Sequence, residues 1–415
     1  MRIIQAGDTR ALRRVMAPKA AVDRAFRRRV QTIVDRVRTG GDLALAAFAR
    51  RFDGFTAATP TELVITPDEF EMAERQVAPD VRAALAYAAE RIERYQAAAV
   101  PKSWRLTDEH GSVLGQEVRP LDRVGIYAPG GRAAYPSTVL MTAVPARVAG
   151  VREIIAVCPR PEPAVMAAAV EAGVTRLFRV GGAHAVAALA YGTKTIPRVD
   201  KIVGPGNRYV ATAKAIVAGD CAIDFYAGPT EIVIVAGAGR AAWIAADLVA
   251  QAEHDPDARA VLITWSEPLA ARVSAAVDRA AAGRAVVEQS LAANGAIIVA
   301  RTEHEAMDLA NRFAPEHLVV DRESLARRPL VAGAVFVGDF SAQAAGDYAT
   351  GSNHVLPTGG AARFRGGLNA ADFVRVMAVQ RVTRPGLARL ADTILPLARA
   401  EGLQAHAESV ELRLK

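Results

Sequence analysis

Val124-Gly-Ile-Tyr127 opens the stretch of sequence that decides the fold, because this β-rich run leads into the turn Ala128-Pro-Gly-Gly131 and a helical pattern over residues 137–148. The order predicts a strand, a turn and a helix. Residues 153–157 and 176–180 are further β-rich runs, each followed by breakers and another helical pattern. This βαβαβ order predicts a parallel sheet with right-handed crossover connections.

The same alternation resumes after residue 230, with β-rich runs at 231–236, 260–264, 296–299 and 334–338. Ahead of both patterns, Thr66-Pro-Asp-Glu69 has the capping-box signature of a helix start. We predict two tandem Rossmann-like parallel-sheet domains lacking GxGxxG, with a helical N-terminal segment and a C-terminal helical tail. The expected divisions are an N-terminal arm (1–20), a first α/β domain (21–122 and 231–368), a second α/β domain (123–230) and the C-terminal helical tail (369–415).

The composition, 51% apolar and 23% charged, is that of a globular protein. No apolar run approaches the length of a transmembrane helix, and the first residues lack a signal-peptide pattern, which favours a cytoplasmic protein. Cys158 and Cys221 have no CxxC spacing, which argues against a disulfide framework or a thiolate zinc site. The net charge of +7 and the arginines of residues 24–29 raise a nucleic-acid hypothesis, but a solvated helix face explains these arginines better.

Glycine-rich turns follow several predicted strands, at residues 129–131, 181–182 and 204–207. No GxGxxG follows any strand, so the usual dinucleotide fingerprint is absent. Backbone amides in turns that open helices bind pyrophosphate, but glycine is also routine at such turns. The spacing alone therefore leaves nucleotide binding open.

Five of the seven histidines lie in the last 165 residues, and four of these have carboxylates or amides close by in sequence. Gln251 and His254 are three residues apart on a predicted helix and share one face. Glu316 and His317 are adjacent, so both serve one site only if the chain bends there. Imidazole and carboxylate groups are zinc ligands and also the commonest proton-transfer groups. Ordinary polar packing is the alternative for each motif taken alone.

These motifs occur together in one known family, and the chain resembles histidinol dehydrogenases. The strings that carry the resemblance are Tyr127-Ala-Pro-Gly-Gly131, Val203-Gly-Pro-Gly-Asn207, Ala227-Gly-Pro-Thr230-Glu231, Ala250-Gln-Ala-Glu-His254, Ala314-Pro-Glu-His-Leu318, Gly346-Asp-Tyr348 and Asn353-His-Val-Leu-Pro-Thr358.

The resemblance implies a cytoplasmic, homodimeric enzyme that oxidises L-histidinol through L-histidinaldehyde to L-histidine, reduces two NAD and holds one Zn²⁺ per subunit. It places zinc and catalysis in the first α/β domain, NAD on the second, and the tail against the partner subunit. The metal ligands it implies, which also touch substrate, are Gln251, His254, Asp347 and, from the partner subunit, His406. The catalytic pair would be Glu316 and His317, the latter also touching substrate. Further substrate contacts would be Thr230, His354 and Glu401, and NAD contacts would be Tyr127, His184 and Asn207.

Two positions depart from the family pattern. His184 stands where a glutamine usually follows Gly-Gly-Ala, and Ala342-Gln343 replaces the usual Pro-Glu before Gly-Asp-Tyr. The second change removes a carboxylate that could pair with the substrate's ammonium group. Alternatives are therefore a dehydrogenase on the same scaffold for another polar alcohol, such as a sulfonated diol, and a zinc hydrolase that activates water with Glu316.

Overall fold

The computed structural model of the chain describes residues 1–17, 23–55, 59–130, 135–226 and 228–415. Its strands are β1 (Arg2–Gln5), β2 (Trp104–Thr107), β3 (Val113–Pro120), β4 (Arg123–Tyr127), β5 (Glu153–Val157), β6 (Arg176–Phe178), β7 (Lys201–Val203), β8 (Ala222–Ile223), β9 (Glu231–Val235), β10 (Arg259–Thr264), β11 (Ala296–Val299), β12 (His317–Val320), β13 (Ala334–Val337) and β14 (Val374–Arg381).

The α-helices alternate with these strands over most of the chain. They are α1 (Thr9–Met16), α2 (Arg24–Phe48), α3 (Pro67–Gln76), α4 (Pro79–Ala99), α5 (Pro136–Val148), α6 (Pro163–Ala172), α7 (Gly182–Tyr191), α8 (Arg208–Val217), α9 (Ala241–Ala252), α10 (Glu267–Ala281), α11 (Ala285–Asn294), α12 (Glu303–Phe313), α13 (Glu323–Ala326), α14 (Gln343–Tyr348), α15 (Arg384–Ala400) and α16 (Gln404–Leu414).

Two parallel sheets form the centre of the molecule, as the βα alternation predicted. One has six strands in the order β1-β11-β10-β9-β12-β13, and the other has five in the order β6-β5-β4-β7-β8. Every residue of β9 is buried, because helices cover both faces of the sheet and the sequence Glu-Ile-Val-Ile-Val leaves only one polar side chain to accommodate. The predicted α/β fold class is confirmed.

A third sheet was not predicted. It is antiparallel, has the order β14-β3-β2 and pairs Val374–Arg381 with Val113–Pro120. The predicted C-terminal helical tail (369–415) thus begins with a strand, β14, and α15 and α16 supply its helices. Most side chains of β14 are exposed, and its partner strand lies more than 250 residues earlier, so a local pattern carries little sign of the pairing.

The N-terminal segment is helical as predicted, but its packing differs from the expected domain division. α2 packs on α7 and α8, and α4 packs on α5 and α6, so both helices belong with the five-stranded sheet. β1 pairs with β11 in the six-stranded sheet, which the prediction had separated as an arm. The domain boundaries themselves stay predictions. Among the described residues no helix combines the length and apolar character needed to cross a bilayer.

Candidate active site

The residues predicted to do chemistry collect at the amino edge of the six-stranded sheet. Glu316 and His317 lie at the start of β12, and Thr230 comes directly before β9, its parallel neighbour. Gln251 belongs to the last turn of α9 and Asp347 to α14. Because parallel strands start at the same edge of a sheet, residues that precede β9 and β12 meet there.

The chain bends just before Glu316, as a shared site for this residue and its neighbour requires. Ala314, the residue that ends α12, is in the left-handed conformation with φ of 50°. After this turn the Nδ1 atom of His317 lies 3.7 Å from Oε2 of Glu316, so both side chains serve one site. The predicted proximity of the pair is therefore present in the structure.

Glu316 is a buried carboxyl held by two donors. Its Oε2 accepts hydrogen bonds from the Thr230 hydroxyl at 2.5 Å and from the backbone N–H of Glu231 at 2.8 Å. Burial raises its pKa to about 8, even though both hydrogen bonds favour the charged form. A carboxyl with such a raised pKa is a proton-transfer group suited to neutral pH.

His317 is held as a neutral imidazole. Its Nδ1 lies 3.2 Å from the carbonyl oxygen of Glu231, which only accepts, so Nδ1 carries the proton. Its Nε2 then accepts from the side-chain amide of Gln343 at 3.2 Å. Burial lowers the pKa of His317 to about 4, so the ring is uncharged near neutral pH and Nε2 is a proton acceptor.

Gln251 has a buried side-chain oxygen of the kind that binds a cation. The side chain is fully buried, and its Nε2 donates to the Thr230 hydroxyl at 2.6 Å. Its Oε1 is a buried oxygen with no hydrogen-bond partner among the described residues. An unpartnered buried amide oxygen is costly, and a bound metal ion would satisfy it. This atom fits the metal site that the sequence predicts.

Asp347 and His254 lie close to the same pair. The Oδ1 atom of Asp347 is 4.0 Å from Nε2 of His317, and its Oδ2 accepts from Gln343 at 2.8 Å. His254 lies two residues beyond the end of α9, so the prediction that it shares a helix with Gln251 is wrong, and its side chain is exposed. Across the described part of the chain, no three His, Cys, Asp or Glu side chains converge to hold a metal. One subunit thus offers a glutamine, a histidine and an aspartate at most.

His354 lies beside these residues, whereas the tail residues do not join them. Its Nδ1 lies 3.0 Å from the carbonyl oxygen of Asp347, and its Nε2 is 3.5 Å from the Thr138 hydroxyl in α5. Burial lowers the pKa of the His354 imidazole. The hydrogen bonds and ion pairs of the described residues link neither Glu401 nor His406 to the cluster, and both side chains are exposed.

The predicted cofactor residues lie at the carboxyl edge of the five-stranded sheet. Tyr127 ends β4, and its hydroxyl accepts from the backbone N–H of Gly182 at 3.0 Å. Asn207 caps α8 by accepting from two amides, those of Tyr209 and Val210. Gly131 and Ala227, which belong to strings that carried the resemblance, lie outside the described residues.

His184 is buried rather than presented to a ligand. Its side chain is 2% exposed, and its Nε2 lies 2.9 Å from Oδ2 of Asp53, which also accepts from the N–H of Gly181 at 3.0 Å. A direct contact between His184 and NAD stays a prediction. The geometry favours an indirect role, in which His184 and Asp53 brace the glycine turn.

Sequence reasoning missed several polar residues around these two edges. Asp53 is 131 positions from His184, so no local motif joins them. Lys214 and Asp224 form a buried ion pair behind the turn 204–207, which carries the predicted NAD contact Asn207. A lysine among the apolar residues of α8 was a usable signal, because lysine is rarely fully buried without a partner.

The chain as a whole is similar to known proteins. The sequence profile of histidinol dehydrogenases matches residues 17–414. A histidinol dehydrogenase of Syntrophotalea carbinolica is 49% identical over 93% of this chain and 92% of its own. The chain belongs to the histidinol dehydrogenase family.

Other relatives agree with this membership. The histidinol dehydrogenase of Pseudomonas putida is 46% identical over 98% of this chain and 94% of its own. The crystal structure of histidinol dehydrogenase from Elizabethkingia anophelis superposes with a TM-score of 0.94 at 31% identity, covering 100% of this chain and 98% of that chain. The fold of the histidinol dehydrogenase family therefore extends over the whole molecule, including the third sheet and the tail.

Proposed function

We propose that the protein oxidises L-histidinol through L-histidinaldehyde to L-histidine, the last steps of histidine biosynthesis, with two NAD reduced per turnover. The observation that carries this proposal is the buried pair of Glu316 and His317 beside the unpartnered oxygen of Gln251. Membership of the histidinol dehydrogenase family supports the choice of substrate. NAD, when bound, accepts the two hydrides in turn.

His317 is the base for the alcohol in this proposal. Its unprotonated Nε2 faces Gln343 and Asp347, and it accepts the hydroxyl proton as the first hydride leaves the carbinol carbon. The hydrogen bond from Nδ1 to the carbonyl of Glu231 fixes the ring orientation and stabilises the imidazolium that forms.

Glu316 activates water for the second oxidation. In its ionised form, the Glu316 carboxyl group, oriented by Thr230 and the Glu231 amide, accepts a proton from the water that attacks the aldehyde carbon. The hydrate then loses the second hydride and leaves as a carboxylate. No cysteine adduct is needed, which agrees with Cys158, a buried thiol whose pKa burial raises to about 11.

Zinc would be held by Gln251, His254 and Asp347, with His406 of a second subunit as the fourth ligand. Bound there, zinc supplies a template and Lewis acid for the substrate's nitrogens. The buried amide oxygen of Gln251 supports this assignment. Because one subunit brings at most three ligands together, the assignment includes a homodimer with shared sites.

The surface that would form this homodimer is rich in exposed apolar side chains. They lie on the antiparallel sheet, on the last two helices and in the turn between those helices: Trp104, Leu106, Leu114, Val376, Met377, Val379, Leu390, Leu397, Leu403 and Leu412. Contiguous exposed apolar surface marks protein–protein contacts. Glu401 and His406 lie on the same tail, so dimerisation through it would carry both residues toward the partner's site.

Production of NADH from L-histidinol tests the proposal. We expect two NADH and one histidine per histidinol consumed, with loss of turnover on treatment with a chelator and recovery on adding Zn²⁺. A ratio far from two would overturn the four-electron reaction, and full activity after verified removal of metal would overturn the role of zinc.

A further inference from the structure

A fully buried ion pair lies behind the predicted cofactor turn. The Lys214 ammonium contacts the Asp224 carboxylate, and their side chains are 3% and 1% exposed. Lys214 belongs to α8, and Asp224 follows β8 at the edge of the five-stranded sheet. Such a pair loses its hydration on burial, and packed apolar side chains of similar size often stabilise a protein as well or better. Its presence therefore calls for a role other than stability.

Both members of the pair bind the backbone of the same residue, Gly204. Lys214 Nζ donates to the carbonyl oxygen of Gly204 at 2.9 Å, and the N–H of Gly204 donates to Oδ2 of Asp224 at 2.8 Å. The second carboxylate oxygen accepts from the N–H of Phe225 at 2.7 Å. Every polar backbone group of Gly204 is thus satisfied by this one ion pair.

Gly204 is fixed on its other side by sterics. Its φ is +111°, a region that residues with a side chain rarely adopt, and a Cβ there would collide with the carbonyl oxygen of Tyr127. The peptide is pressed against the end of β4 on one side and held by two charges on the other. These contacts hold Gly204, the first residue of the turn 204–207, against Tyr127.

We propose that Lys214 and Asp224 are a positioning pair for NAD binding. The pair holds the backbone of Gly204 and thereby fixes the position of the turn that carries Asn207. This inference rests on the proposed function, because it takes NAD as the ligand of that turn. Neither residue needs to touch the dinucleotide. The pair joins β7, the turn, α8 and β8 into one rigid unit, so its loss releases the cofactor edge and leaves the pair Glu316–His317 in place.

The test is the dissociation constant for NAD, measured by titration calorimetry on Lys214→Met in the full-length protein. We expect at least a tenfold rise in Kd, with kcat at saturating NAD and KM for L-histidinol both within twofold of the unaltered protein. A purely structural role would lower the unfolding temperature without separating NAD affinity from kcat in this way.

Lys201→Met is the matched control. Lys201 is the first residue of β7, three residues before Gly204. Its Nζ lies 3.3 Å from Oδ1 of Asp372, away from the turn 204–207. We expect a lower unfolding temperature and an NAD affinity within twofold of normal. The double variant Lys214→Met/Asp224→Asn leaves no unpaired buried charge, so it provides folded protein if the single variant unfolds.

The outcomes separate this inference from the proposed function. Folded Lys214→Met or double variant with unaltered NAD affinity would overturn the positioning pair alone. An equal loss of affinity in Lys201→Met would overturn it too, because the effect would then be general destabilisation. Absence of NAD binding to the unaltered protein would overturn both.

Discussion

The two parallel sheets use opposite edges. In the five-stranded sheet, Tyr127 and the turns before α7 and α8 lie at the carboxyl ends of the strands, where helix N-termini offer amides to an anion. In the six-stranded sheet, Thr230, Glu316 and His317 lie at the amino ends. At these amino ends the backbone N–H of Glu231, the first residue of β9, donates a hydrogen bond to the Glu316 carboxyl group. The edge where the strands start thus holds the predicted catalytic side chain of Glu316. The edge where the strands end offers backbone amides that suit a dinucleotide.

The carboxyl edges of the two sheets also differ in the size of their cavities. A cavity of about 420 Å³ at the five-stranded sheet is lined by residues that include Asp53, Arg160 and Arg179. At the six-stranded sheet, a cavity of about 40 Å³ is lined by residues that include Trp243, Asp247 and Asp321. The first cavity lies beside the carboxyl ends of β5 and β6, and neither Tyr127 nor Asn207 lines it, whereas the second accommodates only a few waters.

The largest effect is expected from Glu316→Gln at the amino edge. A carboxamide does not accept the proton of the attacking water, so formation of histidine should slow by roughly 10²–10⁴-fold. NADH released per histidinol consumed should also fall from two toward one. Rapid-quench analysis of histidinol, aldehyde and histidine measures both quantities.

Asp321→Asn is the matched control, because Asp321 follows the other end of β12 and accepts from the N–H of Gly237 at 2.8 Å. Its activity should stay within twofold. Similar losses in both variants would remove the distinction between the two edges.

Gln251→Ala should weaken zinc binding next. Loss of groups that only orient ligands already costs about 10–100-fold in metal affinity, so loss of a ligand should cost at least as much. Zinc content after dialysis against a chelator series, measured by mass spectrometry, gives the affinity. Gln96→Ala removes another buried glutamine, bonded to the N–H of Ala370, and should keep its zinc. Equal zinc retention in both variants would contradict the ligand assignment.

Gly204→Ala should act on the carboxyl edge alone. The strained φ and the contact with Tyr127 displace the turn, so Kd for NAD should rise about tenfold while zinc content stays normal. Fluorescence titration with NAD measures the change. In Gly219→Ala the added methyl meets open space, and affinity should be unaltered. Loss of zinc from Gly204→Ala would show that the edges are not independent.

The smallest effect concerns Asp247 at the carboxyl edge of the six-stranded sheet. Burial raises its pKa to about 6, above the model-compound value of 3.8. Its contribution to stability is therefore fully present below pH 3.8 and is lost as pH rises through about 6. Partial exposure reduces the loss to about 1 kcal/mol.

Asp247→Asn should consequently be more stable than the unaltered protein at pH 7 by about 1 kcal/mol and equal to it at pH 3.5, with unchanged activity. Urea unfolding at both pH values measures this difference. A fall in kcat would mean that the carboxyl edge of this sheet takes part in the chemistry.

Local patterns in the sequence predicted local structure well. Thr66, Pro67 and Glu69 form the expected capping box, because its hydrogen bonds span only three residues. The β-rich runs at 153–157 and 296–299 are strands with the predicted bounds. In the site, the adjacency of Glu316 and His317 was sufficient to propose that pair. The helical spacing of Gln251 and His254 was not confirmed, because α9 ends at Ala252, two residues before His254.

Long-range pairings were not predictable in this way. The apolar face of α2 fits either sheet, and only the folded chain shows that it packs on α7. Likewise, β14 finds β3 across more than 250 residues, and His184 finds Asp53 across 131. Non-local contacts depend on the summed packing of many elements, which no window of sequence contains.

A crystal structure of the protein with Zn²⁺, NAD and L-histidinol tests the central claim most directly. We expect the dinucleotide along the carboxyl edge of the five-stranded sheet, beside Tyr127 and the Gly204 turn, and the substrate alcohol beside Nε2 of His317, close to Glu316. Dinucleotide density at the carboxyl edge of the six-stranded sheet, or substrate remote from Glu316, would contradict the account.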